Sequence, residues 1–195
     1  GELLKVDDWI ELNSLGLIWS GWDWSMDGVA IGADLGLFTT TGGEKKKARY
    51  RWNWEKAANA GYDNDYTGLY RLVDAANLSG NQYAPTLEAL VDVQQWMKMI
   101  AFRHVIADWD GLGYHRGKNA FIYRPSNGRW NLIPWDMDFG LGISGHDWSH
   151  DLFDVDNMPV IEAMTEHPLF RRYYWQALRA AATGPMLSTK VNPVM

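Results

Sequence analysis

The chain has 195 residues, enough for one domain with a substantial core or for two small ones. Hydrophobic residues make up 47% and charged residues 22%, and no apolar run is long enough to span a membrane. The net charge of −6 argues against a nucleic-acid partner, because such proteins usually carry a basic face. The absence of cysteine excludes disulfides and thiolate zinc sites.

Residues 1–44 predict short strands and turns, because Gly, Asp and Trp recur in 20–24 and glycines recur in 28–36. The 12 tryptophans of the chain are interpreted as core and surface aromatics rather than as a sugar-binding platform. The chain begins at Gly1 and shows no signal peptide. Both ends look cut, so we expect a fragment.

Three helices are predicted in the first half of the remaining chain. The first covers residues 45–60 and has a basic start, the second is capped by Asn64, and the third opens at residues 84–86. Asp92 followed by Gln95 then forms a capping-box pattern that opens the strongest helix. Its apolar stripe comprises Val93, Trp96, Met97, Ile100 and His104, and the histidine is interpreted as a satisfied core residue.

A loop over residues 108–118 is followed by a β-hairpin. Residues 120–123 and 129–133 are rich in aromatic and branched side chains, and the turn signal 125–128 separates them. Further helices are predicted over 159–166 and over 169–182, where Pro168 suits the first turn. The expected class is α+β, mainly helical with one functional hairpin.

The residues with catalytic potential lie around that hairpin. Asp108 and Asp110 stand in the loop before it, Asn119 opens its first strand, and the second strand delivers Asp136. Phosphoryl transfer to a hydroxyl needs one carboxylate that accepts the proton, and an amide oxygen and a second carboxylate that hold magnesium. Protein kinases show the same order of Asp, Asn, hairpin and Asp-Phe-Gly.

The acidic residues of this set are expected to crowd one site without a lysine partner for each. Like charges in proximity raise at least one carboxyl pKa, and a bound cation relieves the repulsion. The four residues are Asp108, Asp110, Asp136 and Asp138.

Here the sequence resembles the spore-coat protein H (CotH) kinases. The motifs that carry the resemblance are Trp109-Asp110, Asn119, Phe121-Ile122-Tyr123, and Pro134 to Asp138 followed by Gly140. A fainter likeness covers Gly1 to Lys5 and the closing helix that starts at Pro168.

The resemblance implies a protein-kinase-like C-lobe that moves the γ-phosphate of ATP to a Ser or Thr hydroxyl of a protein, with ATP and Mg²⁺ as cofactors. It implies Asp110 as the catalytic residue and Asn119 and Asp136 as metal ligands. Asp138 is a further candidate metal ligand, because it stands in a literal Asp-Phe-Gly and neighbours two apart on a strand share a face. A secreted, cell-surface or spore-coat location is also implied.

The nucleotide-binding N-lobe of such kinases would precede residue 1. We therefore expect residues 1–44 to follow a missing N-lobe, residues 45–195 to form the helical C-lobe, and this chain alone to be inactive.

Several alternatives remain open. Tyr114, His115, Arg116 and Lys118 could contact phosphate, with Lys118 and His115 as candidate cofactor-binding residues, or belong to a solvated loop. Asp110 and Asp136 could instead be the carboxylate pair of a glycoside hydrolase, with the tryptophans stacking on sugars. A non-catalytic carbohydrate-binding module is the third possibility. The acidic stretch 154–157 is interpreted as a solvated loop rather than a calcium site.

Overall fold

The computed structural model describes residues 1–10, 30–58, 64–141, 143 and 149–191. The helices are α1 (Lys47–Asn53), α2 (Thr67–Ala76), α3 (Tyr83–Leu90), α4 (Val93–Val105), α5 (Pro159–Glu166), α6 (Pro168–Thr183) and α7 (Ser188–Val191). The strands are β1 (Glu2–Val6), β2 (Trp9–Ile10), β3 (Ala30–Ile31), β4 (Trp54–Lys56), β5 (Ala120–Arg124) and β6 (Asn131–Pro134). The turn predicted over residues 20–24 and the glycine at position 28 lie outside the described residues.

The predicted hairpin is confirmed, but it is only half of a sheet. Strands β5 and β6 pair antiparallel and continue into β1 and then β4, in the order β4-β1-β5-β6. Leu4 pairs with Ile122, which pairs with Leu132, and none of the three is more than 2% exposed. This row of apolar side chains faces the core, so residues from the start and the middle of the chain share one sheet.

The expectation of a mixed helical and strand fold is therefore confirmed, although the strands form more than a lone hairpin. Strand β1 lies between β4 and β5, which ties residues 2–6 to elements far along the chain. The division of the chain at residue 44, and the likeness of the helical part to a kinase C-lobe, stay predictions.

The helix predicted over residues 45–60 is wrong in its second half. Helix α1 ends at Asn53, and residues 54–56 form β4, in which Val6 pairs with Trp54. Trp54 is 1% exposed. The free edge of β1 offers backbone hydrogen bonds at this point, and burial of the Trp54 ring adds hydrophobic stabilisation, so tertiary contacts override the helical pattern.

The capping predictions are partly correct. Helix α2 begins at Thr67, and the carboxylate of Asp65, not the side chain of Asn64, accepts from the Thr67 amide at 3.0 Å. At α4, Asp92 Oδ1 accepts from the Gln95 amide at 3.2 Å, as predicted. The reciprocal bond of a capping box, from the Asp92 backbone amide to the Gln95 side chain, is absent, because the side-chain carboxamide of Gln95 bonds to β6.

Gln95 joins α4 to the hairpin. Its Oε1 accepts from the Leu132 amide at 2.8 Å and its Nε2 donates to the Leu132 carbonyl at 2.6 Å. Nearby, the buried Trp96 indole donates to the Trp130 carbonyl at 3.1 Å. These bonds fix the position of β6 against α4, and α4 in turn packs along α6.

The helices predicted over 159–166 and 169–182 are confirmed as α5 and α6, each with proline in the first turn. The start of α5 has a partner that the sequence pattern did not show. Asp34 is 6% exposed, and its two carboxylate oxygens accept from the Val160 and Ile161 amides, each at 3.2 Å. A carboxylate on unsatisfied first-turn amides stabilises a helix start.

Tryptophans occupy both the core and the surface, in line with the interpretation from composition. Trp54, Trp96 and Trp130 are among the largest fully buried side chains. Trp52, Trp135 and Trp175 are each more than half exposed.

Candidate active site

The loop that follows α4 is anchored to the protein core. The Asp108 amide donates to the Arg103 carbonyl at 2.9 Å, directly after Ala107, whose φ of 54° is left-handed. The Leu112 amide donates to the Lys118 carbonyl at 2.8 Å, and Leu112 is fully buried. The loop is therefore not simply solvated along its length.

Two glycines allow close approaches to this loop. A Cβ atom at Gly111 would overlap the guanidinium of Arg103, and one at Gly117 would overlap the backbone of Ala33. The Ala33 amide also donates to the Gly117 carbonyl at 2.7 Å. The loop backbone is thus pressed against Arg103 on one side and against Ala33 on the other.

Asp110 lies at the centre of a polar cluster and is 3% exposed. Its Oδ2 accepts from Lys118 Nζ at 3.0 Å and from Asn119 Nδ2 at 3.1 Å. Its Oδ1 has no hydrogen-bond partner among the described residues, since Arg116 Nη1 lies 3.9 Å away. Burial raises the pKa of Asp110 above its ordinary value, and the hydrogen bond from Lys118 opposes that shift.

Asn119 and Asp136 lie on opposite sides of the end of the β5–β6 ladder. The last ladder pair is Ala120 with Pro134, and beyond it the Trp135 amide donates to the Asn119 carbonyl at 3.0 Å. Asn119 and Asp136 both adopt left-handed backbones, with φ of 53° and 52°. Asn and Asp tolerate this region better than most residues, which suits these two positions.

The side chain of Asn119 has a defined orientation. Its Nδ2 donates to the Asp110 carbonyl at 2.7 Å and also to the Asp110 carboxylate. Both amide protons are therefore used, and Oδ1 is the end that can accept from water or bind a cation. Asp110 and Asn119, two of the candidate residues named from the sequence, are thus in direct contact.

Arg103 contacts the same cluster and was not identified from the sequence. The side chain is 2% exposed. Its Nη1 donates to Asp108 Oδ2, and its Nη2 donates to the Asn119 carbonyl and, at 3.0 Å, to the Trp135 carbonyl. The sequence did offer one signal, since Arg103 directly precedes His104, which lies on the apolar stripe of α4. An arginine at the edge of a core-facing stripe indicates buried acceptors nearby, because a buried guanidinium requires hydrogen-bond acceptors.

The expected raised carboxyl pKa is found at Asp108, which is fully buried. Burial raises the pKa of Asp108 to about 6, the charge of Arg103 opposes the shift, and the charges of Asp110, Asp138 and Asp136 add to it. The expectation that there is no lysine partner for each of the four carboxylates is not contradicted, but two of them do pair with a cation. Arg103 pairs with Asp108, and Lys118 pairs with Asp110.

Asp138 is not positioned by a strand. Strand β6 ends at Pro134, and Asp138 lies in a turn four residues later. The argument that Asp136 and Asp138 share a face of one strand is therefore wrong, because the strand does not reach them. Both carboxylates are exposed, and both act electrostatically on Asp108.

The two candidate cofactor-binding residues lie in different surroundings. Lys118 belongs to the cluster through its ion pair with Asp110. His115 Nδ1 instead lies 3.0 Å from Asp156 Oδ2, in the acidic stretch 154–157 that the sequence pattern indicates to be a solvated loop. Lys5 bonds to Asp7, and the charge of Asp136 contributes to its raised pKa.

The oxygen atoms of the site are of the kind that magnesium prefers. Asn119 Oδ1 and the exposed carboxylate of Asp136 flank the hairpin end, and Oδ1 atoms of Asp108 and Asp110 are buried without hydrogen-bond partners among the described residues. In the described part of the chain, no three His, Cys, Asp or Glu side chains come together to hold a metal ion. A cation here would take few protein ligands, which suits magnesium because it retains waters and binds phosphates.

The described helices include none that is both long and apolar enough to cross a membrane.

No curated protein matches the chain. The sequence model of the family described as CotH kinase protein matches residues 8–194. This match indicates a kinase-type enzyme, and kinases generally use ATP and a metal ion. With nearly all of its length matched by that model, the chain belongs to the CotH kinase family.

Proposed function

We propose that the chain carries the hydroxyl- and metal-binding residues of a protein kinase that moves the γ-phosphate of ATP to a Ser or Thr hydroxyl. The observation that carries the proposal is the direct contact between Asp110 and Asn119 at the hairpin end from which Asp136 projects. The family match favours this function over glycoside hydrolysis or simple carbohydrate binding.

In this proposal Asp110 is the residue that orients the substrate hydroxyl and accepts its proton. Asn119 and Lys118 hold Oδ2 in place, and Oδ1 is the acceptor that has no hydrogen-bond partner among the described residues. The hydroxyl oxygen forms the new bond to phosphorus, its proton passes to Oδ1, and the bond to the ADP oxygen breaks. The raised pKa of Asp110 makes it a better proton acceptor than an ordinary carboxylate.

Asn119 Oδ1 and the Asp136 carboxylate are the groups that would hold Mg²⁺, with Asp138 as a further candidate ligand. Bound magnesium would offset the negative charge of the phosphates. The left-handed backbone at both Asn119 and Asp136 supports this assignment. A left-handed backbone is uncommon outside glycine, even though Asn and Asp tolerate it, and such conformations cluster at functional sites.

Lys118 is the better supported of the two cofactor-binding candidates. Its ammonium group lies 3.0 Å from Asp110 Oδ2, so it can neutralise charge at the position where a phosphoryl group would approach. The His115 ring is paired with Asp156. A contact between His115 and the nucleotide would require the nucleotide to extend along the loop toward that side.

The metal site is tested by thermal melts with and without Mg²⁺. We expect magnesium to raise the Tm of the unmodified protein in proportion to its binding and to leave the Tm of Asp136→Asn unchanged. Asp74→Asn is the matched control, because Asp74 is an exposed carboxylate on α2 that forms an ion pair with Lys45. Equal magnesium shifts in the unmodified protein and in Asp136→Asn would count against Asp136 as a ligand.

A further inference from the structure

Arg103 gathers three separate parts of the chain at the candidate site. From its place on α4, its guanidinium donates to Asp108 in the loop, to the Asn119 carbonyl before β5 and to the Trp135 carbonyl after β6. The donor is almost completely buried, so water has little access to its N–H groups.

The two carbonyls mark the point where the hairpin ladder ends. Beyond the pair Ala120–Pro134, the strands are joined by the bond from the Trp135 amide to the Asn119 carbonyl. Asn119 itself and the residue after Trp135, which is Asp136, both have left-handed backbones. A single nitrogen of Arg103 bonds to both carbonyls, so one buried side chain holds the backbone on both sides of the ladder end.

We propose that Arg103 is a positioning residue, which fixes Asn119 and Asp136 by holding the Asn119 and Trp135 carbonyls. The proposal rests on the proposed function, in which Asn119 and Asp136 are the metal ligands. Arg103 does not touch the substrate or the metal in this role. It acts through the backbone of the hairpin end, as residues behind metal ligands commonly do.

The simpler role for Arg103 is to neutralise the buried Asp108. The two roles make different demands on chemistry. A lysine would supply the same charge to Asp108, but all its N–H donors lie on one nitrogen, whereas the guanidinium places Nη1 on the carboxylate and Nη2 on the two carbonyls. Arg103→Lys therefore separates charge neutralisation from positioning.

A second variant moves the guanidinium without changing it. A Cβ atom at Gly111 would overlap the Arg103 guanidinium, so Gly111→Ala should displace the side chain from its acceptors. Gly42→Ala is the matched control, because a Cβ atom there would meet only Thr40 Oγ1 at 3.7 Å. If Arg103→Lys fails to fold, Gly111→Ala still tests the proposal with the arginine retained.

The test combines hydrogen exchange of backbone amides with Mn²⁺ binding followed by electron paramagnetic resonance. In Arg103→Lys and Gly111→Ala we expect the Trp135 amide to exchange at least about tenfold faster and the Kd for Mn²⁺ to rise about 10- to 100-fold. The Leu132 amide, held by Gln95 at 2.8 Å, is the internal reference and should keep its exchange rate. Gly42→Ala should match the unmodified protein in both measurements.

Unchanged Trp135 exchange in Arg103→Lys would overturn the proposal and leave charge neutralisation as the role of Arg103. Faster exchange with unchanged Mn²⁺ affinity would also overturn it, because the hairpin end would then loosen without effect on the ligands. An unmodified protein that binds no Mn²⁺ would refute the proposed metal site and with it any role for Arg103 there. That result is distinguished from the first two because it occurs before any substitution.

Discussion

Arg103 and His104 are neighbours on α4, yet they bury their side chains in two different surroundings. His104 Nδ1 lies 2.6 Å from the Leu152 carbonyl and 2.6 Å from the Tyr174 hydroxyl, and its Nε2 lies 2.9 Å from the Gly113 carbonyl. Both ring nitrogens therefore have partners, as the sequence interpretation of a satisfied core histidine required. This network ties α4 to α6 and to the stretch around Leu152, and its role is structural.

The surroundings of Arg103 are charged and incompletely bonded. The carboxylates of Asp108 and Asp110 each retain a buried oxygen without a hydrogen-bond partner among the described residues. A buried acceptor left without a partner costs stability, and native proteins keep few of them. The difference teaches that neighbouring positions on one helix can serve packing and chemistry separately. Buried acceptors without a hydrogen-bond partner identify the position that serves chemistry.

The backbone shows the same contrast. In the described part of the chain, the residues other than glycine with positive φ are Ala107, Asn119, Asp136, Leu141 and Asn157. The first three flank the Arg103 cluster. Conformations of this kind are unfavourable for most side chains, so their concentration here supports a functional rather than a purely structural role.

The largest effect is expected from Asp110→Asn. Loss of the proton acceptor should reduce phosphate transfer by about 10²- to 10⁴-fold, while the uncharged amide keeps nearly the same shape and the fold survives. The measurement is incorporation of labelled phosphate from ATP into a casein-like mixed substrate by the full-length protein. Asp74→Asn, a change of the same kind on the exposed face of α2, should keep full transfer. Transfer by Asp110→Asn at the unmodified rate would remove Asp110 from the mechanism.

Tyr174→Phe should have the opposite profile. The substitution removes the hydroxyl that contacts His104 and the Leu152 carbonyl and leaves buried polar atoms less well bonded. We expect the free energy of unfolding to fall by about 1–3 kcal/mol, with phosphate transfer per folded molecule unchanged. Urea denaturation gives the first quantity. A large loss of transfer at full occupancy of the folded state would show that the two surroundings are coupled.

The smallest effect is a pH dependence of stability that comes from Asp108, the ion-pair partner of Arg103. Burial raises the folded-state pKa of Asp108 to about 6, above the unfolded value of about 3.9. The folded state therefore binds more protons between these values, and this group makes the protein more stable as the pH falls from 7.5 to 5. The expected gain from Asp108 is about 1 kcal/mol.

Asp108→Asn isolates that contribution. His104, whose pKa is lowered by burial, acts in the opposite direction as the pH falls, but it is present in both proteins. On going from pH 7.5 to pH 5, the unfolding free energy of Asp108→Asn should therefore gain less, or fall more, than that of the unmodified protein. Identical pH profiles for the two proteins would contradict a raised Asp108 pKa.

Much of the fold follows from patterns that neighbouring residues specify. The Asp92 cap, the apolar stripe of α4, the turn of the hairpin and the proline starts of α5 and α6 are local signals, and each occurs where predicted. The candidate residues Asp110, Asn119 and Asp136 could be named for the same reason, because their order around a hairpin is a sequence property. Their assignment as catalytic and metal-binding groups stays a prediction.

Other features depended on contacts between distant residues. Residues 54–56 form a strand because β1 offers them an open edge, and Arg103 is buried because acceptors from the loop, from Asn119 and from Trp135 surround it. Asp34, far from α5 along the chain, supplies the acceptors for its first turn. Local patterns cannot encode these partners, since a backbone edge or a buried charge is satisfied only by whatever group the folded chain brings beside it.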